Sequence, residues 1–207
     1  MIETIVFLGI ILIALPLIFG GAIFLVLCLE KNRRKNDGVM VKKILDPCCS
    51  GRMFWFDKKN PLCLFGNIRE VKECITGKGK NARKYKCKPD KIIDFRDMKD
   101  IKSNTFYLIV FDPPHMFLGK TSYMAMKYGS LNKETWQGDI KKGFSECFRV
   151  LRQNGILIFK WNEFNISLKD ILKLCEYKPL FGHPSGKAQR THWVSFMKDK
   201  SLKKEQS

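Results

Sequence analysis

The stretch FYLIVFDPPH (residues 106–115) joins a continuously apolar run to an acidic residue and two prolines. Its aromatic and β-branched residues predict a strand over 106–112 that is buried on both faces, as in a parallel sheet. Asp112 then stands at the carboxyl end of that strand, where open α/β sheets bind their ligands. Pro113 and Pro114 fix the backbone and have no N–H groups, so the turn presents acceptors only. The stretch predicts an α/β fold with a site at this edge.

Working outward, further apolar runs alternate with helical patterns. The predicted strands are VKKILD (41–46), LCLFG (62–66), KIID (91–94), ILIFKW (156–161) and THWVSFMK (191–198). Spacings of three and four predict a helix over 132–151, through Trp136, Ile140, Phe144, Cys147, Phe148 and Leu151. A shorter helix is predicted over 167–175 with Ser167 as its N-cap, and the chain closes with a hairpin that ends in the strand 191–198. This alternation predicts an α/β sandwich with a mostly parallel sheet.

Polar residues follow four of the predicted strands. Asp46 opens the small-residue turn DPCCSGR (46–52), after which we expect a helix whose N-terminus offers free N–H groups. The other three strand ends carry Asn67 with Glu70 nearby, Asp94, and Asp112. A lone Asp at a strand end is usually a cap or turn residue. Several such ends in one sheet favour a ligand cleft.

The chain is strongly basic. It has 38 Lys and Arg against 20 Asp and Glu, a net charge of +18, and residues 1–30 contain no Lys or Arg. Such charge suggests a polyanionic partner, nucleic acid first and an anionic membrane surface second, although a Lys-rich solvated surface is the alternative. The basic stretch 73–88 predicts a mobile loop, either an ordinary connection or a phosphate contact.

The eight cysteines and three histidines do not form a metal-binding pattern. No CxxC pair occurs, Cys48 and Cys49 are adjacent, and the histidines supply no zinc-ligand spacing. We therefore expect reduced thiols, as in cytosolic proteins, and no metal.

The N-terminal segment has the composition of a membrane helix. Residues 4–29 are uncharged and long enough to span a bilayer, and the basic stretch KNRRKND follows at 31–37. A signal peptide fits poorly because a basic n-region and a cleavage site are missing. We expect a transmembrane anchor over 1–30, a basic linker over 31–39, and a cytoplasmic catalytic domain on a single-pass membrane protein. A buried core helix is the alternative.

Several motifs together resemble one enzyme family. ILDPCCSGRMFWFDK, IIDFRD, FDPPH, ECFRVLRQNGILIFKWNE and PLFGH…THWVSFMK are similar to the small S-adenosylmethionine-dependent methyltransferases of bacteriophages and prophages. Those are class I, Rossmann-like enzymes, often described as DNA methyltransferases. The resemblance covers residues 40–198, in the family's order, and leaves 199–207 as a polar tail.

The resemblance implies roles for the residues at the strand ends. The first motif of the family holds the amino-acid part of S-adenosylmethionine, and it matches Asp46, Cys48, Cys49, Ser50 and Gly51. Asn67 falls where the family has an acidic residue that binds the ribose hydroxyls; Asn gives one acceptor there, and Glu70 is a possible substitute. Asp94 matches the position that contacts the adenine amino group, with Phe95 packing nearby.

The resemblance also implies a catalytic tetrad, Asp112, Pro113, Pro114 and His115. In the family, enzymes with this motif methylate exocyclic amino groups. The Asp carboxylate and the first Pro carbonyl accept hydrogen bonds from the N–H groups of that amine. The fourth position is more often Tyr, Phe or Trp, which stacks on a flipped base. His115 stacks less well and titrates near neutral pH, which leaves the acceptor base open.

Further candidate residues lie near this edge. Lys160 and Asn162 end the fifth strand at the same edge and are candidates to face the substrate. Met116, Phe117 and Trp136 are candidates to line the acceptor pocket, although an aromatic residue on an amphipathic helix is more often in the core. We expect His183, His192 and Trp193 to pack or pair within the terminal hairpin.

The function expected from these observations is methyl transfer from S-adenosylmethionine to an exocyclic amino group of DNA, adenine N6 before cytosine N4. Two alternatives stay open. One is a methyltransferase for a protein or small-molecule acceptor, and the other is a catalytically degenerate, membrane-tethered module that binds nucleic acid.

Overall fold

The computed structural model describes residues 41–76, 82–119 and 122–205. Its strands are β1 Ile44–Asp46, β2 Cys63–Asn67, β3 Val71–Thr76, β4 Arg83–Cys87, β5 Lys91–Ile92, β6 Phe106–Phe111, β7 Leu151–Asn162, β8 Phe181–Ser185 and β9 Thr191–Met197. Its helices are α1 Tyr123–Tyr128, α2 Trp136–Val150 and α3 Leu168–Lys173, and a 3-10 turn covers Lys200–Leu202. Each predicted strand overlaps one of these strands.

Seven of the strands form one sheet in the order β5-β2-β1-β6-β7-β9-β8. The five strands from β5 to β7 are all parallel, whereas β9 runs antiparallel to both β7 and β8. In chain order, the parallel strands follow the 3-2-1-4-5 arrangement of the Rossmann fold. The predicted Rossmann-like sheet with a C-terminal antiparallel hairpin is confirmed.

The hydrophobic core lies between the sheet and helix α2. Ile140, Phe144 and Phe148 of α2 are buried in one cluster with Phe111 of β6 and Phe159 of β7. Burying each of these side chains contributes roughly 1.5–3 kcal/mol. Because the helix repeats its apolar residues every three or four positions, one face can cover the central strands, and the predicted helix is confirmed.

Two predictions about connecting segments are wrong. The stretch 73–88 belongs in large part to an antiparallel hairpin, β3–β4, and not to a mobile loop. In β4 the residues Tyr85 and Cys87 are buried while Lys84 and Lys86 are exposed. This alternation of period two is typical of a half-buried strand, and its lysines make the segment resemble a solvated loop.

The second wrong prediction is the helix after the turn at 46–52. Residues 47–62 form successive turns instead, and both Ser50 (φ 43°) and Arg52 (φ 54°) have left-handed backbone. Asp57 accepts a hydrogen bond from the Lys59 N–H at 2.8 Å, a local bond that competes with helix formation. The connection from β1 to β2 therefore offers no helix N-terminus to a ligand.

The predicted membrane anchor (1–30) and basic linker (31–39) lie outside the described residues, and no helix within 41–76, 82–119 and 122–205 is long and apolar enough to span a bilayer. At the other end, the Lys204 ammonium donates to the carbonyls of Leu172 and Cys175 at 2.7 Å each. The predicted tail is thus attached to the fold as far as Lys204.

Candidate functional site

A cavity of about 420 Å³ opens at the carboxyl edge of the parallel strands. The β6 tip, the turn after β1, and helix α1 with the residues that follow it form its walls. It brings together most of the predicted site residues, namely Cys48, Cys49, Ser50, Asn67, Phe95, Asp112, Pro113, Pro114 and His115. Asp46, Gly51 and Asp94 lie outside this lining. Residues that follow four parallel strands, β1, β2, β5 and β6, therefore lie in the wall of one cavity.

Asp46 is a fully buried carboxyl group beneath the turn. It accepts hydrogen bonds from the Cys48 N–H at 3.2 Å and from the Trp55 indole N–H at 2.8 Å. Burial raises the pKa of Asp46 to about 7, against the opposing effect of these two hydrogen bonds. Burial likewise raises the pKa of the Cys48 thiol. Asp46 therefore shapes the turn from below, and it does not line the cavity.

The two predicted contacts to the nucleoside part of a cofactor are engaged within the chain. The Asn67 amide donates to the Arg69 carbonyl at 2.7 Å. The Asp94 carboxylate is bound by the Arg96 guanidinium, with a shortest contact of 2.7 Å, and this bond holds the pKa of Asp94 below its usual range. Glu70, the expected substitute for Asn67, is exposed and outside the cavity lining. Asn67 and Phe95 thus line the cavity, while Asp94 faces Arg96.

Asp112 has one engaged and one open carboxylate oxygen. Its Oδ2 accepts from the Lys160 ammonium at 2.7 Å, and its side chain is only 12 % exposed. Its Oδ1 is buried and has no hydrogen-bond partner among the described residues. A buried, unpaired carboxylate oxygen is costly, typically by about 1–3 kcal/mol or more. Asp112 lines the cavity, so this oxygen is an unpaired acceptor next to it.

His115 is largely buried beside Asp112. Its Nδ1 lies 3.2 Å from the Pro113 carbonyl oxygen and 3.8 Å from Asp112 Oδ1, and its ring meets Trp161 edge to face. Burial lowers the pKa of His115. The neutral Nδ1–H tautomer donates to the Pro113 carbonyl, which keeps a second lone pair for a ligand.

Lys160, a predicted candidate to face the substrate, lines the cavity. Pairing of Phe111 with Phe159 brings Lys160 next to Asp112 across the sheet. Its ammonium also lies 5.6 Å from the centroid of Phe54 and 5.7 Å from that of Trp193. Trp193, expected to pack within the hairpin alone, therefore also supports this edge of the site.

Three side chains hold helix α1 over the cavity, and of these the sequence singled out only Ser50. Arg69 donates to the Ala125 carbonyl at 3.1 Å and to the Met126 carbonyl at 2.6 Å. The hydroxyls of Ser50 and Tyr85 both donate to the Lys127 carbonyl at 2.9 Å. The Ala125 carbonyl also accepts from the Gly129 N–H at 2.8 Å, whereas carbonyls at the very end of a helix lack an intrahelical partner, so these donors cap α1. The alternation in β4 was the only sequence signal for Tyr85.

Other candidates lie elsewhere. Phe117 and Trp136 line a separate surface depression near Asn165, and Met116 is also absent from the cavity wall. The Asn162 amide donates to the Thr191 hydroxyl at 2.9 Å within the sheet. No group of three or more His, Cys, Asp or Glu among 41–76, 82–119 and 122–205 is arranged to hold a metal.

No protein-family model and no curated protein sequence matches the chain. The solved structures to which it is similar include the PH0226 protein from Pyrococcus horikoshii OT3, at 11% identity and a TM-score of 0.48, over 76% of this chain and 82% of that chain. Another is a TehB-like SAM-dependent methyltransferase from Corynebacterium glutamicum, at 14% identity and a TM-score of 0.46, over 77% and 82%. A third is a geranyl diphosphate methyltransferase in complex with GPP and sinefungin, at 7% identity and a TM-score of 0.45, over 77% and 72%.

Proposed function

We propose that the protein transfers a methyl group from S-adenosylmethionine to an exocyclic amino group of DNA, with adenine N6 preferred over cytosine N4. The observation that carries the proposal is the unpaired Oδ1 of Asp112, a buried carboxylate oxygen of a residue that lines the cavity. Asp112 stands at the tip of β6, within the DPPH motif, and it lines the same cavity as the turn after β1.

The cavity fits the cofactor in size and in the chemistry of its walls. Its volume of about 420 Å³ lies within the roughly 300–1,000 Å³ that small-molecule sites occupy. The small residues Cys48, Cys49 and Ser50 would hold the amino-acid part, and the amide of Asn67 would face the ribose. Phe95 offers an apolar surface for a ring. S-adenosylmethionine would supply an electrophilic methyl group on its sulfonium.

The acceptor side of the cavity suits an aromatic amine. The lone pair of such an amine is delocalised into its ring, so the nitrogen is a poor nucleophile. Asp112 Oδ1 and the Pro113 carbonyl would each accept a hydrogen bond from one N–H of the amine. These two bonds favour a pyramidal nitrogen and stabilise the positive charge that develops on it. Because the two prolines fix the backbone, these acceptors are held without reorganisation.

Nucleic acid is the partner that the charge of the chain favours. The net charge is +18, and a basic surface attracts a phosphate backbone by releasing counterions. The apolar segment 4–29, followed by KNRRKND, leads us to include a single-pass membrane anchor with a cytoplasmic catalytic domain in the proposal. Extraction of cell membranes at alkaline pH tests the anchor: release of the full chain into the supernatant would contradict it.

The test of the enzymatic proposal is methyl transfer from radiolabelled S-adenosylmethionine to separate pools of DNA, RNA and protein. The wild-type chain should label DNA. Asp112→Ala should transfer methyl groups at least about 100-fold more slowly, since it removes the unpaired acceptor. Asp97→Ala is the matched control, because Asp97 is an exposed carboxylate outside the cavity. Labelling of protein alone would favour a protein methyltransferase. Equal labelling by wild type and Asp112→Ala would refute the assigned role.

A second candidate, a catalytically degenerate nucleic-acid-binding module, has specific observations in its favour. Asn67 and Asp94 both bond to other residues of the chain, and the turn after β1 is not followed by a helix. Calorimetric titration of the full chain with S-adenosylmethionine separates the candidates. Binding supports the enzyme, whereas salt-dependent DNA binding without cofactor binding supports the degenerate module.

A further inference from the structure

Lys160 is held in a defined position on the acceptor side of the cavity. Its ammonium donates to Asp112 Oδ2 at 2.7 Å and lies near the rings of Phe54 and Trp193. Those two rings meet edge to face at 5.6 Å, so they support each other as well as the cation. Contacts of this kind restrict a flexible lysine to a small part of its rotamer space.

Lys160 and Asp112 together present a donor beside an acceptor. An ammonium has three N–H bonds, and Asp112 accepts one of them. The side chain of Lys160 is 24 % exposed and that of Asp112 is 12 % exposed, so both groups are largely withdrawn from water. Hydrogen bonds from charged groups in such surroundings are stronger than bonds between neutral groups. A ligand that fits the pair must offer an N–H next to an acceptor atom.

We propose that Lys160 is a specificity-determining residue. Its ammonium donates a hydrogen bond to a ring nitrogen of the substrate, adjacent to the amino group whose N–H donates to Asp112 Oδ1. The inference rests on the proposed function and narrows its substrate class. In adenine the N6 amino group is next to ring nitrogen N1, and in cytosine the N4 amino group is next to N3. Both bases thus present a donor beside an acceptor on the Watson–Crick edge, which enzymes read in a flipped base. The pair therefore selects an amino group with a neighbouring ring nitrogen.

The same lysine disfavours alkylammonium acceptors. A protonated lysine side chain of a protein substrate would bring a second positive charge next to Lys160, and like charges in a partly buried site repel strongly. Such a substrate also lacks an acceptor atom, so the Lys160 N–H would be left unpaired. The geometry thus favours neutral aromatic amines over aliphatic amines.

The test uses single-stranded oligonucleotides of mixed sequence in which adenine is replaced by 1-deazaadenine, where a C–H takes the place of N1. A parallel pool carries 3-deazacytosine in place of cytosine. For wild type we expect kcat/KM on the matching deaza pool to fall about 10- to 100-fold, the range for losing a hydrogen bond from a charged donor. Lys160→Met should have a lower kcat/KM than wild type on normal DNA. Its kcat/KM should then fall by less than about two-fold when the deaza pool replaces normal DNA.

The comparison between enzymes isolates the contact. Replacing the ring nitrogen also changes the amine itself, but this effect is the same for wild type and variant, so their ratio reports the Lys160 contact alone. Lys160→Arg keeps a charged donor and should keep most of the deaza loss. Lys99→Met is the control, because Lys99 is an exposed lysine outside the cavity, and it should show the wild-type loss.

Each outcome has one meaning. Equal deaza losses in wild type and Lys160→Met, or no loss in wild type, would overturn the inference and leave the proposed function standing. If Lys160→Met fails to fold, as circular dichroism would reveal, Lys160→Leu takes its place in the comparison, and an absent loss in wild type overturns the inference without any variant. Absence of transfer to any nucleic-acid pool by wild type would overturn the proposed function and this inference with it.

Discussion

Two glycines in helix α2 allow a test of how this helix packs next to the site. Gly143 faces the sheet: a Cβ atom there would lie 2.7 Å from Phe111 Cζ and 2.7 Å from Phe95 Cδ2. Gly138, in the same helix, has no heavy atom within 4 Å of such a Cβ. Phe111 precedes Asp112, and Phe95 lines the cavity. Alanine at 143 therefore disturbs the site from behind, and alanine at 138 does not.

The magnitude follows from two opposing effects. Replacing glycine by alanine within a helix gains up to about 1 kcal/mol in either position. At 143 the added methyl group must displace two aromatic rings, and overpacking of this kind costs about 1–3 kcal/mol. Gly138→Ala should raise the free energy of unfolding, and Gly143→Ala should lie about 1–3 kcal/mol below it. For a chain of this size, each kcal/mol shifts the melting temperature by about 2–4 °C.

The assay is thermal unfolding of the full chain in detergent of constant composition, followed by near-ultraviolet circular dichroism. Calorimetry with S-adenosylmethionine accompanies it, and only Gly143→Ala should weaken binding, because Phe95 is displaced. Equal melting temperatures for the two variants would refute the packing of α2 against Phe95 and Phe111.

Three further outcomes are expected. Burial raises the pKa of Asp46 from 3.8 to about 7, so the folded state keeps a proton that the unfolded state loses. The free energy of unfolding should therefore fall by about 3 kcal/mol as pH rises from 4 to 7, and denaturant titrations of Asp46→Asn should lack this fall. Trp55→Phe removes a hydrogen bond to the ionised form, so the fall should extend to higher pH in the same titrations; an unchanged profile would exclude the bond. Tyr85→Phe should cost about 1 kcal/mol and speed amide exchange in α1, since the Lys127 carbonyl keeps only its bond from Ser50; unchanged exchange would contradict the cap.

Much of the fold could be predicted because burial has a local signature. The apolar run in β6 identified a strand that is buried from Ile109 to Phe111, although Tyr107 is exposed, and the spacing in α2 identified a helix with one apolar face. Both signatures repeat within a few residues, so they survive without knowledge of the rest of the chain. The hairpin β3–β4 was missed because its exposed face carries lysines, which resemble a solvated loop.

The candidate site was predictable in its outline and not in its contacts. The sequence by itself determined the strand ends that converge, and with them the DPPH turn and the small-residue turn after β1. Only the tertiary structure decided that Lys160 meets Asp112 and that Tyr85 caps α1. The physical reason is that hydrophobic periodicity reports which face of an element is buried, whereas these partners depend on sheet order and register between distant segments.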